Sequence, residues 1–456
     1  MSIRPAFRTS AASDRPRHPN ACGIRTLRYP NGRGIRTPAA SDVCDVVTPA
    51  ASGARRVDVA AVLRRRDEIV HEWNDAGQVQ WLQDAGIELV RGHGRLTGER
   101  EVTVARDGAD AARLRARYAV AVCTGSAALL PDIPGLADAR PWTSREATAV
   151  QQLPESLVIL GGGVVACEMA TAYASFGVAV TVLARSALLR GVEPFAGERV
   201  TAALREAGVD VRADAQVTAV AREDDGRVRV DLDGEASVTA SEILVATGRV
   251  PRTGDLGLEV VGLEPGAWLD VDDTLRVRGT AWLYGVGDVT HRALLTHQGK
   301  YQARAAGDVI AARAHGSEID DRPWGAHVAT ADHDAVPQVV FTAPEVAAVG
   351  ITAAQAEERG IRARALDVDL AQIAGASTRA AHYRGQARAV VDEDRGVLVG
   401  ATFVGEDAAE MLHAATIAVV GEVPLHRLWH AVPAYPTLSE VWLRWLEAYG
   451  RESAFA

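Results

Sequence analysis

The stretch LVILGGGVVACEMATAYASFGVAVTVLARS, residues 157–186, decides the fold. It opens on the apolar run Leu157–Leu160, which reads as a buried strand. A glycine turn follows, then a helical segment, then a second strand in VAVTVLA. That order makes a βαβ unit on a parallel sheet. Gly161 permits the tight turn after the strand, and Gly163 lets the backbone approach a pyrophosphate. Ala166 stands where a third glycine commonly lets the helix pack on the strand. Gly162, Val164 and Val165 complete the loop and the first helical turn, whose free N–H groups and positive dipole end face the phosphates. A GxGxxA pattern alone is a weak signal. Its position between strand and helix makes it a nucleotide site.

The end of the second strand selects the nucleotide. NAD sites usually place a carboxylate there for the ribose 2′-OH. This chain has Ala184 and Arg185, with Arg190 close by. Arginine suits a 2′-phosphate, so NADP is expected ahead of NAD. The other reading of Arg185 is a solvated loop side chain.

The surrounding chain has 456 residues, 48% hydrophobic and 24% charged, which fits a soluble protein of two to four domains. No apolar run reaches the roughly 20 residues of a membrane helix. Residues 1–56 carry ten arginines against three aspartates, while the remainder carries 39 basic and 56 acidic residues. The acidic body gives no charge reason to bind nucleic acid or an anionic membrane. Cys22, Cys44, Cys123 and Cys167 are too scattered for a disulfide scaffold or a zinc site, so a reducing cytoplasm and no metal are expected. Cys123 and Cys167 read as small core residues.

RTSAASD (8–14), RTPAASD (36–42) and TPAASG (48–53) are near-repeats in a segment rich in Pro, Arg, Ser and Ala. Residues 1–56 therefore read as an atypical, unordered segment. From Val57 a helical period begins, followed by an expected strand at Ile87–Arg91. A further strand in RARYAVAVCTG ends in a turn at Gly125. Val228, Val230 and Leu232 alternate beside an Asp225-Gly226 turn. The helix EVWLRWLEAYG puts Val441, Trp442, Trp445, Leu446 and Tyr449 on one apolar face, which suits either a subunit interface or an internal core.

Six stretches, the glycine loop among them, fall in a fixed order: CTGSAALLPDIPG (123–135), GGGVVACE (161–168), VATGRVPRT (245–253), LYGVGDV (283–289), ALLTHQGKYQAR (293–304) and VFTAPEVAAVGIT (340–352). Together they resemble the flavin-dependent pyridine nucleotide-disulfide oxidoreductases, the family of dihydrolipoyl dehydrogenase, glutathione reductase and mercuric reductase. The resemblance covers the chain from about Val57 onward. It implies an α/β fold of two interleaved Rossmann-like dinucleotide-binding domains with a C-terminal α+β dimerisation domain. The implied boundaries are 57–150 and 266–336 for the flavin domain, 151–265 for the NAD(P) domain and 337–456 for the dimerisation domain. FAD and NADP, with NAD possible, are the implied cofactors, and a homodimer the implied assembly. By position, Gly94, Thr124, Gly125, Ser126, Gly248, Gly287, Asp288, Leu294 and Thr296 should lie along the flavin, and Glu168 near the nicotinamide.

The sequence departs from this family twice. The family's first βαβ unit, with its own GxGxxG, and its C-x4-C redox pair have no counterpart in the chain as given. One explanation is a shifted reading frame or a late start codon. In VPAYPTLSE (432–440), Tyr435 takes the place of the family's acid-base histidine, while Glu440 keeps the partner position. A phenol does not shuttle protons at neutral pH as imidazole does. His430, upstream, reads as a satisfied structural histidine, and His327, Asp332 and His333 match no metal-ligand spacing. The expectation is an FAD-dependent NADPH oxidoreductase passing hydride to a small acceptor (a quinone, a metal ion or another oxidant), not to a disulfide. The alternative is an inactive relative that dimerises and binds NADP(H) only. FAD is expected to bind the chain as given weakly or not at all.

Overall fold

The computed structural model describes residues 57–234 and 236–455, so the expectation for residues 1–56 lies outside the described residues. The strand Ser156–Leu160 runs inside a four-stranded parallel sheet. Glu242–Val245 flanks it on one side, and Ala179–Leu183 and then Asp210–Arg212 lie on the other. Such strands are covered on both faces, which is why the run is apolar without alternation. Leu157 and Ile159 share a core with Ala166, Ala170 and Tyr173 of the helix Val164–Ser175. Val158 and Leu160 leave by the opposite face. They pack with Val220, Val228 and Val230 of a three-stranded antiparallel sheet, Val217–Arg222, Val228–Leu232 and Ser237–Ala240. Val228 and Val230 are fully buried, and Gly226 takes φ +86° in the turn before them, as the alternation implies.

The flavin-domain segments flank this unit in sequence. Val120–Val122 pairs in parallel with Leu283–Gly285, and Ser126–Ala128 pairs antiparallel with Arg249–Pro251. The short turn Gly287–Thr290 follows, and its Val289 shares a core with Ala305 and Ala306 of the long helix Thr296–His315. The C-terminal region is a five-stranded antiparallel sheet. Its order is Gln338–Val340, Glu345–Gly350, Val397–Gly405, Gln386–Asp392 and Ala363–Asp369.

Three expectations are corrected. Ile87–Arg91 forms no strand. The ladder starts at His93, opposite Ala105, and Ile87 and Leu89 are exposed, so that stretch has neither pairing partner nor buried face. Cys123 is exposed just beyond the strand Val120–Val122 and is not a core residue. On the helix Val441–Tyr449, the residues Val441, Trp445, Leu446 and Tyr449 are buried in the chain's own C-terminal core with Phe403 and Leu412. The internal-core reading of that face therefore holds, and the subunit-interface reading does not.

Candidate functional site

The glycine loop is shaped by two close approaches. Gly161 takes φ +127°, and a Cβ there would lie 2.3 Å from the Ala246 carbonyl oxygen. The Gly162 carbonyl accepts the Leu189 N–H at 2.8 Å, tying the loop to the segment that carries the arginines. Gly163 caps the helix Val164–Ser175 without a side-chain bond, is exposed, and has nothing within 4 Å of where its Cβ would be. The helix's first N–H groups, at Val164 and Val165, have no hydrogen-bond acceptor among the described residues. Ala166 is fully buried, so its small side chain serves helix–strand packing. Arg185 and Arg190 are exposed, and neither enters an ion pair among the described residues.

Glu168 lies one turn into this helix, half-buried, and accepts the Phe341 N–H at 2.9 Å. Burial pushes its carboxyl above the usual range, against the pull of that hydrogen bond. Beside it the Cys167 thiol is pushed up to about 12 by burial and by the Glu168 charge. A thiol so shifted supplies no thiolate at neutral pH.

A second cluster forms where the two flavin-domain segments meet. Ser126 Oγ donates to Asp288 Oδ2 at 2.5 Å, across 162 residues of sequence. Arg249 Nε donates to Ser126 Oγ at 2.5 Å, and Arg249 Nη2 and Arg252 Nε donate to the Ser126 carbonyl at 3.0 and 3.1 Å. Arg249 also approaches Asp288 at 3.7 Å. Gly125, at φ +70°, accepts the Arg252 N–H at 3.0 Å, while Thr124 is exposed beside it. Gly248 accepts the Leu129 N–H at 2.9 Å.

Gly287 donates its N–H to Gln302 Oε1 at 2.7 Å. Gln302 and Gln298 in turn donate to the two oxygens of Asp332, each at 2.9 Å. The Asp332 side chain is fully buried, and that burial raises its carboxyl despite both bonds. Leu294 is half-buried, and Thr296 opens the long helix without a side-chain cap, leaving its first N–H groups available. Gly94 lies in the strand His93–Gly98 opposite Val104 and makes no hydrogen bond to this cluster among the described residues.

Sequence reasoning missed Arg249, Arg252, Gln298 and Gln302, and gave Asp332 no role here. A usable signal existed for two of them. Gln298 and Gln302 are four apart on a helix, so they share a face, and both are buried.

Tyr435 and Glu440 are not brought together. Tyr435 is 77% exposed, whereas Glu440 is buried and accepts the Thr437 N–H at 3.1 Å in a capping box. His430 is exposed, its ring edge-on to Phe455 at 6.4 Å, and it makes no side-chain hydrogen bond among the described residues; the satisfied-histidine reading fails. His327 accepts the Asp320 N–H, and His333 faces Asp273, so they turn to different partners.

These features fit both nucleotides. The helix start at Gly163 has no side-chain cap, and such N–H groups suit a phosphate. The Asp288–Ser126 pair and the uncapped helix start at Thr296 are polar groups of the kind a flavin's hydroxyls and phosphates bind. A protein-family model described as "Pyridine nucleotide-disulphide oxidoreductase" matches residues 31–316, and the model of that family's dimerisation domain matches 336–445. The chain belongs to the pyridine nucleotide-disulphide oxidoreductase family, whose members use FAD and NAD(P)H. The match begins inside the segment set apart as atypical. The dimerisation-domain match supports a homodimer.

The chain is 32% identical to mercuric reductase of Streptomyces lividans over 392 residues, covering 84% of this chain and 78% of that protein. It is 31% identical to dihydrolipoyl dehydrogenase of Halobacterium salinarum over 398 residues, covering 84% and 79%. Among solved structures, the HOCl-induced flavoprotein disulfide reductase RclA from Escherichia coli shares the fold. The TM-score is 0.74 at 24% identity, over 86% of each chain. No helix among the described residues is long and apolar enough to cross a membrane.

Proposed function

We propose that this chain is an NADPH-dependent flavoprotein oxidoreductase that delivers electrons to a small acceptor such as a quinone or a metal ion, and not to a disulfide. The observation that carries this reading is the glycine loop: complete, open at its helix start, and followed by Arg185 at the second strand's end. In this reading the N–H groups of Val164 and Val165 hold the NADPH pyrophosphate. Arg185 and Arg190 hold its 2′-phosphate. Glu168, fixed by the Phe341 N–H, orients the nicotinamide end. FAD, when bound, supplies the two-electron acceptor for hydride. Ser126 and Arg249 hold the Asp288 carboxylate in place to accept from the flavin's polyol chain.

The acceptor is argued from chemistry. The chain as given has no C-x4-C pair, the buried Cys167 thiol stays protonated, and Tyr435 stands in place of a histidine. Disulfide exchange needs a reactive thiolate, and none of these groups supplies one. The mercuric reductase among the relatives makes a metal ion a reasonable acceptor class.

The test is NADPH oxidation by the purified full chain with a quinone, with mercuric ion, and with glutathione disulfide or lipoamide. Turnover with one of the first two and none with the two disulfides is expected. Clear turnover of glutathione disulfide overturns the acceptor assignment. A second reading, an NADP(H)-binding dimer without flavin turnover, draws on the parallel ladder of the flavin half, which has two strands among the described residues. A colourless protein that binds NADPH supports it; stoichiometric flavin removes it.

A further inference from the structure

The segment that carries Arg185 and Arg190 is bounded on both sides. At its start, Ala184 is buried and its N–H bonds the Arg212 carbonyl at 3.0 Å. In its middle, Leu188 and Leu189 are buried, and the Leu189 N–H reaches the Gly162 carbonyl of the glycine loop at 2.8 Å. Gly197 packs so closely on Leu188 that a Cβ there would meet the Leu188 carbonyl oxygen at 2.2 Å. The segment ends at Glu193, three residues after Arg190, where the helix Pro194–Glu206 begins.

Glu193 is the N-cap residue of that helix, but its side chain makes no capping hydrogen bond. Its carboxylate is 2% exposed and reaches across to the C-terminal region. Oε1 accepts the N–H of Ala353, the first residue of the helix Ala353–Glu358, at 2.7 Å. Oε2 accepts from Arg388 Nη1 at 2.9 Å. Arg388 is itself fixed. It sits directly opposite Asp367 in the antiparallel ladder, and its Nε and Nη2 donate to both Asp367 oxygens at 2.9 and 2.7 Å. Its guanidinium also lies over the Phe195 ring, 5.4 Å from the centroid. Two ends of the guanidinium grip one strand while the third holds Glu193, a geometry that a planar fork provides and a lysine does not.

A buried carboxylate with both oxygens paired to another domain is costly to arrange, because each charge must leave water. Surface arginine–glutamate pairs at the same boundary, such as Arg384–Glu206, would hold the domains together without that cost. The position of the buried pair, at the end of the arginine segment, distinguishes it.

We propose that the Glu193–Arg388 pair is a positioning strut that sets the arginine segment for a 2′-phosphate, so that selectivity for NADPH over NADH depends on the dimerisation domain. This rests on the reading of Arg185 and Arg190 as the 2′-phosphate contacts. The strut touches no nucleotide itself, since Glu193 is enclosed between protein partners.

The test is calorimetric binding of NADPH and NADH to the full chain in five forms: wild type, Arg185→Ala, Arg388→Met, Arg388→Lys and the double variant Glu193→Gln/Arg388→Met. The double variant leaves no unpaired buried charge, and it provides the readout if Arg388→Met alone does not fold. Arg388→Met and the double variant are expected to lower the NADPH-to-NADH affinity ratio by roughly 5-fold or more, the usual scale of coupling between sites. NADH affinity should stay near that of wild type. Arg388→Lys should recover part of the ratio. If Arg185→Ala removes the preference while the two Arg388→Met forms keep it, the strut is overturned and the arginine reading stands. Equal loss of both nucleotides in those forms also overturns it, because a purely structural bond has no reason to discriminate. If the wild type shows no preference, the arginine reading fails and the strut with it.

Discussion

The NAD(P) half and the flavin half of the chain answer the same chemical problem with different construction. Within the NAD(P) half, the strand Ser156–Leu160, the glycine loop and the helix Val164–Ser175 are consecutive, and the sheet around them has four parallel strands covered on both faces. The flavin half, as described, joins Ser126 to Asp288 and Gly287 to Gln302, and its parallel ladder has two strands. A site made from consecutive residues needs little beyond its own turn to take shape. A site made from distant segments depends on every element that brings them together, because each long-range contact must repay its loop-closure entropy. The first half should therefore tolerate damage to the second, and the second should be the more easily lost.

The strongest challenge to that contrast is Gly161→Ala. The alanine must adopt a left-handed φ, at roughly 1–3 kcal/mol, with its Cβ driven against the Ala246 backbone besides. NADPH affinity should fall by about 10-fold or more, with lower thermal stability, while any bound flavin is retained. Equal loss of flavin and NADPH on titration would show that the halves are not independent.

Gln302→Met works from the other side. It strips the Gly287 N–H and one Asp332 oxygen of their partner, a loss of about 1–3 kcal/mol for groups away from water. Flavin retention on gel filtration should drop while NADPH affinity is unchanged. An unchanged flavin content would mean that the Asp288 turn does not need this support.

Arg185→Glu should shift the NADPH-to-NADH affinity ratio by about tenfold, the lower end for a charge-assisted contact because the side chain is exposed and screened. Calorimetry with both nucleotides measures it, and wild-type protein that binds them equally breaks the assignment.

The smallest effect concerns Glu168. Its carboxyl is raised by burial, so the folded state favours the protonated form. That contribution is fully present below the unfolded pKa and is lost as pH rises through the raised folded value. Glu168→Gln should flatten the fall in melting temperature from acid toward neutral pH. Identical pH profiles for variant and wild type would remove Glu168 as the cause. Asp332 shifts in the same direction, so part of the slope should survive the substitution.

The glycine loop, the alternation of Val228 and Val230 and the apolar stripe of Val441–Tyr449 were legible in the sequence because each is a local requirement. A tight turn demands a residue that accepts φ +127°, and a strand or helix face repeats with the period of its own backbone. Ile87–Arg91 shows the limit of local evidence: an apolar stretch without a pairing partner is not a strand. The stripe at Val441 shows another. Periodicity says that a face is apolar but not what covers it, and here Phe403 and Leu412 of the same chain do.

Tertiary structure alone decided which polar groups meet. Ser126 finds Asp288, Gln302 finds Asp332, and Glu193 finds Arg388, across separations of 162, 30 and 195 residues. No period or spacing encodes such meetings. A buried polar group must find a partner wherever the fold puts one, and that place is set by how the sheets and helices pack.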